Sequence, residues 1–253
     1  MAEPSDARRP NERVYIHELV DIVGQNRAKY MHHITANWSP IGQAERNQLC
    51  FGIWGTVGST GRWPQVVNLW EYEDWSAMAA NFEHEFEHPT LQDPSLAQWW
   101  ADAASLRSGG FDRLLVAAPW SPTIDELLAA GVRGVVYAHE IVKVQPGTAL
   151  DLLELVRTAA VPAYEALGVH LVGAFETSMC EESECVLLWA FPSWQAWGAF
   201  EAAQRRDPAV VAWRDRARPL VRDWHRTLMV DAPLSPMRIG RQPSVEDRAH
   251  APG

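Results

Sequence analysis

The chain repeats itself. Residues 14–19 read VYIHEL and residues 136–141 read VYAHEI. Leu69-Trp70 is followed by Trp75, and Leu188-Trp189 by Trp194 at the same interval. Asp93-Pro94 precedes Trp99 as Asp207-Pro208 precedes Trp213, and RLLVAAPWSP at 113–122 is echoed by TLMVDAPLSP at 227–236. The four pairs keep their order, with offsets of 122, 119, 114 and 114 residues. Chance does not produce that agreement, so the chain is a tandem duplication of a unit of about 100 residues. Each unit must then be a structure whose exposed apolar face the other unit can cover.

The first unit predicts its own element order. Val14–Val23 is a β-rich run, and 25–38 is helical in composition until Ser39-Pro40-Ile41-Gly42 stops it. Leu49–Val57 and Pro64–Glu71 flank the turn Gly58-Ser59-Thr60-Gly61 and read as a hairpin. Asp74 is placed to cap a helix that Pro89 ends, and Asp93-Pro94 opens another. Arg113–Ala117 is the fourth strand. The second unit repeats this with strands near Val135–Val144, Leu171–Thr177, Cys185–Phe191 and Arg226–Asp231. The plan is βαββαβ, the split-βαβ or ferredoxin-like arrangement. Its bare sheet face needs a cover. The expected fold is therefore α+β: two tandem ferredoxin-like repeats packed sheet to sheet as a pseudo-dimeric α/β barrel. The expected divisions are a mobile tail at 1–12, repeats at 13–120 and 134–238, a linker at 121–133 holding a short helix, and a mobile tail at 239–253.

Composition removes several classes of function. Apolar residues make up 47% of the 253, enough for a real core. The net charge of −10 with no basic stripe argues against nucleic acid and against anionic membrane surfaces. No apolar run reaches membrane-span length, and the first residues lack the apolar stretch of a secretion signal. Three cysteines form no disulfide framework and no CxxC pair, which fits a reducing cytoplasm. GxxxxGK[ST], GxGxxG after a strand and GxSxG are all missing, so neither a nucleotide enzyme nor an α/β-hydrolase is expected.

LWEYEDWSAMAANFE at 69–83 followed by DPSLAQWW at 93–100 resembles the NIPSNAP family, within the wider dimeric α/β-barrel group. LLWAFPSWQAWGAFE at 187–201 followed by DPAVVAWRDR at 207–216 resembles it more loosely. The resemblance spans about 13–236. It implies a barrel group that includes cofactor-free monooxygenases, isomerases, haem-binding dismutases and proteins without known chemistry. The first strands depart from the family pattern, carrying His-Glu where an Arg-Tyr-type polar pair is expected.

Those His-Glu pairs are the leading catalytic candidates: His17, Glu18, His139 and Glu140. Neighbours on a strand face opposite ways, so His17 lies with Tyr15 and Leu19 while Glu18 lies with Ile16 and Val20. One imidazole and one carboxylate per half point into covered layers, where a buried histidine can serve as a base near neutrality. The bland alternative is a duplicated structural histidine. Thirteen tryptophans suggest an apolar ligand pocket. Candidate substrate contacts are Tyr15, Tyr137, Trp54, Trp70 and Trp189. Trp54, beside Gly52 and Gly55, is a candidate slot-former, and His32 and His33 are candidates at the pocket mouth. His84-Glu85-Phe86-Glu87-His88 matches HExxH and offers His84, Glu85 and His88 as metal ligands. Pro89 cuts the helix there, and an exposed charged helix end is the simpler reading. The motif also lies where the first half is longer, 18 positions from Trp75 to Asp93 against 13 from Trp194 to Asp207.

The function expected from these residues is a small-molecule enzyme without nucleotide or flavin. It would act on an apolar substrate in a Trp-lined barrel lumen by histidine acid–base chemistry, as an isomerase, lyase or cofactor-free oxygenase. No cofactor is expected. The alternatives are a non-enzymatic binder of haem or another hydrophobic ligand, a metal-ion site, and a scaffold protein of NIPSNAP type. The chain is read as a monomer or homodimer with its opening on the first-half side.

Overall fold

The computed structural model describes residues 9–250. β1 (Val14–Ile22) leads to α1 (Arg27–His32), a π-helical turn at His33–Trp38 and α2 (Ser39–Arg46). The hairpin β2 (Leu49–Thr56) and β3 (Gln65–Tyr72) follows, then α3 (Trp75–Phe86), α4 (Pro94–Ala103) and β4 (Arg107–Ala117). The link carries α5 (Ile124–Ala129). The second half repeats the order with β5 (Val136–Val144), α6 (Ala149–Leu155), a π turn at Val156–Ala160, α7 (Val161–Glu165), β6 (His170–Thr177), β7 (Glu184–Phe191), α8 (Trp194–Ala203), α9 (Pro208–Ala217) and β8 (Val221–Asp231). Among the described residues the eight strands close into one barrel, in the order β1-β3-β2-β8-β5-β7-β6-β4.

The duplicated capping residues do the same work in both halves. Asp74 accepts from the Ala77 N–H at the start of α3, and Ser193 from the Ala196 N–H at the start of α8. Asp93 and Asp207 cap α4 and α9, with proline at the first turn where no N–H is needed. Thr123 and Glu126 form a reciprocal capping box on α5.

The first helical stretch does not stop at 39–42. It passes through the π turn and runs to Arg46, where Asn47 takes a left-handed conformation, φ 49°. Pro40 has no N–H for the Ala36 carbonyl, and that carbonyl accepts instead from Arg248 Nε at 3.3 Å. The second half meets Pro162 with the same device, a π turn just before it. β4 and β8 also begin earlier than composition suggests, at Arg107 and Val221, because the polar stretch RSGGFD pairs along β1 while its side chains stay outside.

Two seams close the barrel. Trp54, Gly55 and Thr56 of β2 pair with Asp231, Val230 and Met229 of β8, and Leu115, Val116 and Ala117 of β4 pair with Thr177, Glu176 and Phe175 of β6. Apolar side chains fall into three layers. One lies under the first-half helices around Tyr30, Ile34, Trp38 and Trp70, and one under the second-half helices around Tyr164, Trp189 and Trp213. The third fills the lumen with Tyr15, Phe51, Trp54, Tyr137, Phe175 and Met229. His17 and His139, equivalents 122 residues apart, touch Nε2 to Nε2 at 2.9 Å. Two equivalent atoms in contact place the pseudo-two-fold axis between them.

Both ends are held further than expected. Residues 1–8 and 251–253 lie outside the described residues, but Asn11 is buried and donates to the Ser121 carbonyl at 2.9 Å. Past α10 (Pro236–Ile239), Gln242 pairs with both backbone groups of Cys50, Arg241 bridges Asp247, and Val245–His250 forms a 3₁₀ turn. The segment expected as a mobile tail from 239 thus completes the edge of β2 and the end of the π turn. No helix among the described residues is long and apolar enough to cross a membrane.

Candidate functional site

Strand alternation puts His17 and His139 in the lumen and Glu18 and Glu140 on the outer faces of the sheets, and the open space lies beside Glu18. His17 and His139 are 0% and 3% exposed and face each other. Burial, each other's proximity and Arg113 push the His17 pKa well below its ordinary value. Burial, then Arg113 and His225, lower that of His139 to about 3. Both rings are neutral near pH 7, one donating to the other, and neither lines either described cavity. The reading of these histidines as a substrate-facing base is corrected: the lumen around them is packed.

The aromatic candidates divide. Trp54 is fully buried, and its ring lies over Gly52 where a Cβ would overlap it. The space over Gly52 is thus filled by the tryptophan itself, as Phe175 fills the space over Gly173, while Arg27 and Met31 cover Gly55. Tyr15 donates to Glu71 Oε2 at 2.9 Å and Tyr137 to Asp231 Oδ2 at 2.8 Å, both inside the protein. Trp189 is sealed in the second-half core. His33 stacks on Trp99 with centroids 4.9 Å apart, and neither His32 nor His33 lines the large cavity.

That cavity, about 720 Å³, lies between the outer face of the first sheet and the first-half helices, and its mouth reaches the β6–β7 loop. Glu18 and Trp70, both candidates, line it, with Tyr30, Trp38, Trp99 and Arg107. Glu18 Oε2 accepts from Trp70 Nε1 at 2.9 Å and from Asn68 Nδ2 at 2.8 Å, and Asn68 Nδ2 also reaches Tyr30 Oη at 3.0 Å. Oε1 carries neither bond. Burial first, then the Asp112 carboxylate across the strand pair, raises the Glu18 pKa, against the opposing pull of Trp70, Asn68 and Arg107. Burial also raises Asp112, which Arg107 opposes. The Arg107 guanidinium lies 3.1 Å from the centroid of Trp100, and the charge of Glu18 beside it opposes the lowering of its pKa by burial. Burial and the Glu18 charge push Tyr30 far above its usual range, so it remains a phenol. The arrangement is a carboxyl group of raised pKa beside a cation and a phenol, on the wall of an apolar cavity.

The second half holds the same arrangement closed. Glu140 is fully buried, accepting on Oε2 from Trp189 Nε1 at 3.0 Å and on Oε1 from Arg226 Nε at 2.7 Å. Arg226 goes on to Glu201 at 3.0 Å. The strand registers make the substitutions plain: Glu18 faces Asn68 and Asp112, while Glu140 faces Leu187 and Arg226. Asn68, Arg107 and Asp112 were not singled out from the sequence. The signal for them was the place where the two halves disagree in charge beside a shared glutamate.

The HExxH pattern does not assemble. α3 ends at Phe86 with Glu87 as its cap, so His88 lies beyond the helix, exposed. Glu85 approaches Arg46 at 3.6 Å. His84 instead sits near Glu45 and Asp93. Asp93 is already engaged: despite burial, bonds from Ser95, Arg46 and the Leu96 N–H hold its pKa at about 2. The physical reason is Pro89, which ends the helix before the second histidine can fall on the first one's face. No histidine lines the large cavity, so a histidine-ligated haem has no axial ligand there.

The comparisons with known proteins agree with this frame. Residues 141–236 match the NIPSNAP family. The match begins within β5, at Ile141, and ends at Pro236, the first residue of α10. A NIPSNAP family protein from Agrobacterium tumefaciens is 24% identical, covering 41% of this chain and 94% of its own with a TM-score of 0.37. Across the whole barrel, a candidate monooxygenase from Fusobacterium nucleatum is similar with a TM-score of 0.58 at 8% identity, over 89% of this chain and 94% of that one. An anthrone oxidase-like protein gives 0.57 at 15%, over 87% and 91%. At these identities the likeness is one of fold. No curated protein matches the sequence.

Proposed function

We propose that the first-half cavity binds a flat, apolar small molecule and that Glu18 is its acid–base group, in an enzyme using neither nucleotide nor flavin. The carrying observation is the contrast between Glu18, open to an aromatic-walled cavity, and Glu140, sealed by Arg226. A carboxylate whose pKa is raised toward neutrality is a better base at working pH. The step is proton removal: a C–H bond breaks, the proton goes to Glu18, and the electron pair stays on the substrate, delocalised into a carbonyl oxygen. Arg107 and the Tyr30 phenol are the groups placed to stabilise that oxygen. Isomerisation, elimination and direct reaction with dioxygen all proceed from such a carbanion, and the last accords with the names of the two barrel neighbours.

Anthrone is a suitable probe, being tricyclic, apolar and acidic at the carbon opposite its carbonyl. Exchange of that hydrogen in D2O, followed by NMR without oxygen, should be faster with the protein than in buffer. Glu18→Gln should lower the protein-dependent rate by about 10²–10⁴-fold while leaving the thermal midpoint near that of the parent. A folded Glu18→Gln protein exchanging at the parent rate, or no acceleration by the parent, overturns the assignment.

A further inference from the structure

The first-half cavity has a counterpart at the equivalent place in the second half, and its lining has changed character. It measures about 390 Å³ and is lined by Arg214, Ala217, Arg218, Val221, Trp224 and Arg226. The spacing of 114 residues that relates the two Asp-Pro pairs carries Trp100 to Arg214, Arg107 to Val221 and Asp112 to Arg226. The duplicated place has therefore exchanged an aromatic ring and a carboxylate for guanidiniums, and a guanidinium for valine.

The three arginines are not alike. Arg226 is committed inward, to Glu140 and Glu201. Arg218 meets Asp215 on the outside, with both side chains largely exposed, where such a pair is weak and easily exchanged. Arg214 bonds to the neutral Gln204 and has no carboxylate partner among the described residues, and its Nε is buried without a hydrogen-bond acceptor. A guanidinium without a carboxylate partner can pair with an arriving oxyanion through its accessible nitrogens. Trp224 lies beside it, 5.7 Å from the Arg214 guanidinium carbon, and Val221 and Ala217 supply apolar wall. The volume exceeds what an inorganic oxyanion fills.

From this we infer that the second-half cavity binds an organic anion, a carboxylate carried on a flat apolar body, with Arg214 as its principal contact. The protein's net charge of −10 repels anions in general, so such binding comes from the local guanidiniums and weakens with salt. This site stands on different residues from the first cavity and does not depend on what Glu18 does.

The test is calorimetric titration of the full chain with 2-naphthoate, its neutral analogue 2-naphthalenemethanol, and inorganic phosphate. One equivalent of naphthoate should bind, with the alcohol and phosphate each weaker by about tenfold or more. Arg214→Gln should weaken naphthoate by about tenfold or more, and Val221→Trp, which fills the cavity without touching an arginine, should abolish it. Glu18→Gln should leave it unchanged. Absence of naphthoate binding, equal affinity for the alcohol, phosphate binding as tightly, or parent-like binding by a folded Arg214→Gln or Val221→Trp protein each overturns the inference. Loss of binding in Glu18→Gln with retention in Arg214→Gln would move the ligand to the first cavity and overturn it as well.

Discussion

Arg226 stands in the second half where Asp112 stands in the first, each across the strand pair from the glutamate of its own half. The guanidinium bonds to Glu140 and fills the space beside it. The shorter carboxylate adds to burial in raising the pKa of Glu18 and leaves the cavity open. One exchange of charge thus separates a sealed glutamate from an accessible one on the same backbone plan.

Arg226→Met should therefore be costly, because it strands a fully buried carboxylate. The expected loss is about 3–5 kcal/mol. At roughly 2–4 °C per kcal/mol for a chain of this size, the thermal midpoint should fall by about 6–20 °C. Arg226→Met combined with Glu140→Leu removes both charges and should recover most of that loss. Additive losses in the double variant, measured by thermal unfolding, would contradict the pairing.

The histidine pair makes a pH prediction. Both folded pKa values lie below the ordinary value of about 6.5. Below pH 6.5 the unfolded chain binds protons that the folded protein refuses, so this contribution to stability is present above 6.5 and lost as pH falls. Each histidine adds up to about 1.4 kcal/mol per pH unit to that slope. Relative to the parent, His17→Leu/His139→Leu should flatten the acid limb between pH 6.5 and 4 in urea unfolding. His17→Ala alone should lose about 1–3 kcal/mol at pH 7 by leaving its partner nitrogen unpaired. Unchanged pH dependence in the double variant would show that the pair is not titrating.

Glu71 and Asp231 act with the opposite sign. Burial raises both to about 7, against bonds from the Ile124 N–H and Tyr15 in one case and from Tyr137 in the other. Their folded values lie above the unfolded ones of 4.5 and 3.8. Their contribution is complete below those unfolded values and is lost as pH rises through 7. Asp231→Asn should thus gain stability relative to the parent at pH 8 compared with pH 4. A constant difference between the two proteins across that range would rule this out.

Gly52 and Gly173 test the filled lumen. Each lies at a β-bulge, directly under the ring of Trp54 or Phe175. Gly52→Ala and Gly173→Ala force a side chain into occupied space and should each cost about 1–3 kcal/mol. Pairing Gly52→Ala with Trp54→Leu should restore part of the loss. A neutral Gly52→Ala in thermal unfolding would mean that the ring can move aside into free volume.

The duplication, the βαββαβ order, the helix starts at Asp74 and Asp93 and the opposite facing of each His-Glu pair are legible in the chain alone. Repetition, Asp-Pro starts and strand parity are local properties, legible without a third dimension. That His17 and Glu18 turn to opposite layers followed from alternation alone. Tertiary structure decided which of those two layers holds space. The lumen is closed because two sheets that curve onto each other bring Trp54, Phe175 and the paired histidines together from strands that are distant in sequence. The outer layer of the first half is open because Asp112 and Asn68 meet Glu18 only through strand register, while Arg226 meets Glu140 the same way. Pro40 shows the same limit at the scale of a helix: its missing N–H signalled a stop, and a π turn with Arg248, 212 residues beyond the Ala36 carbonyl it bonds, supplied what the helix needed to continue. Cavities, seals and rescued carbonyls depend on contacts between residues far apart in the chain, and local pattern carries no record of those.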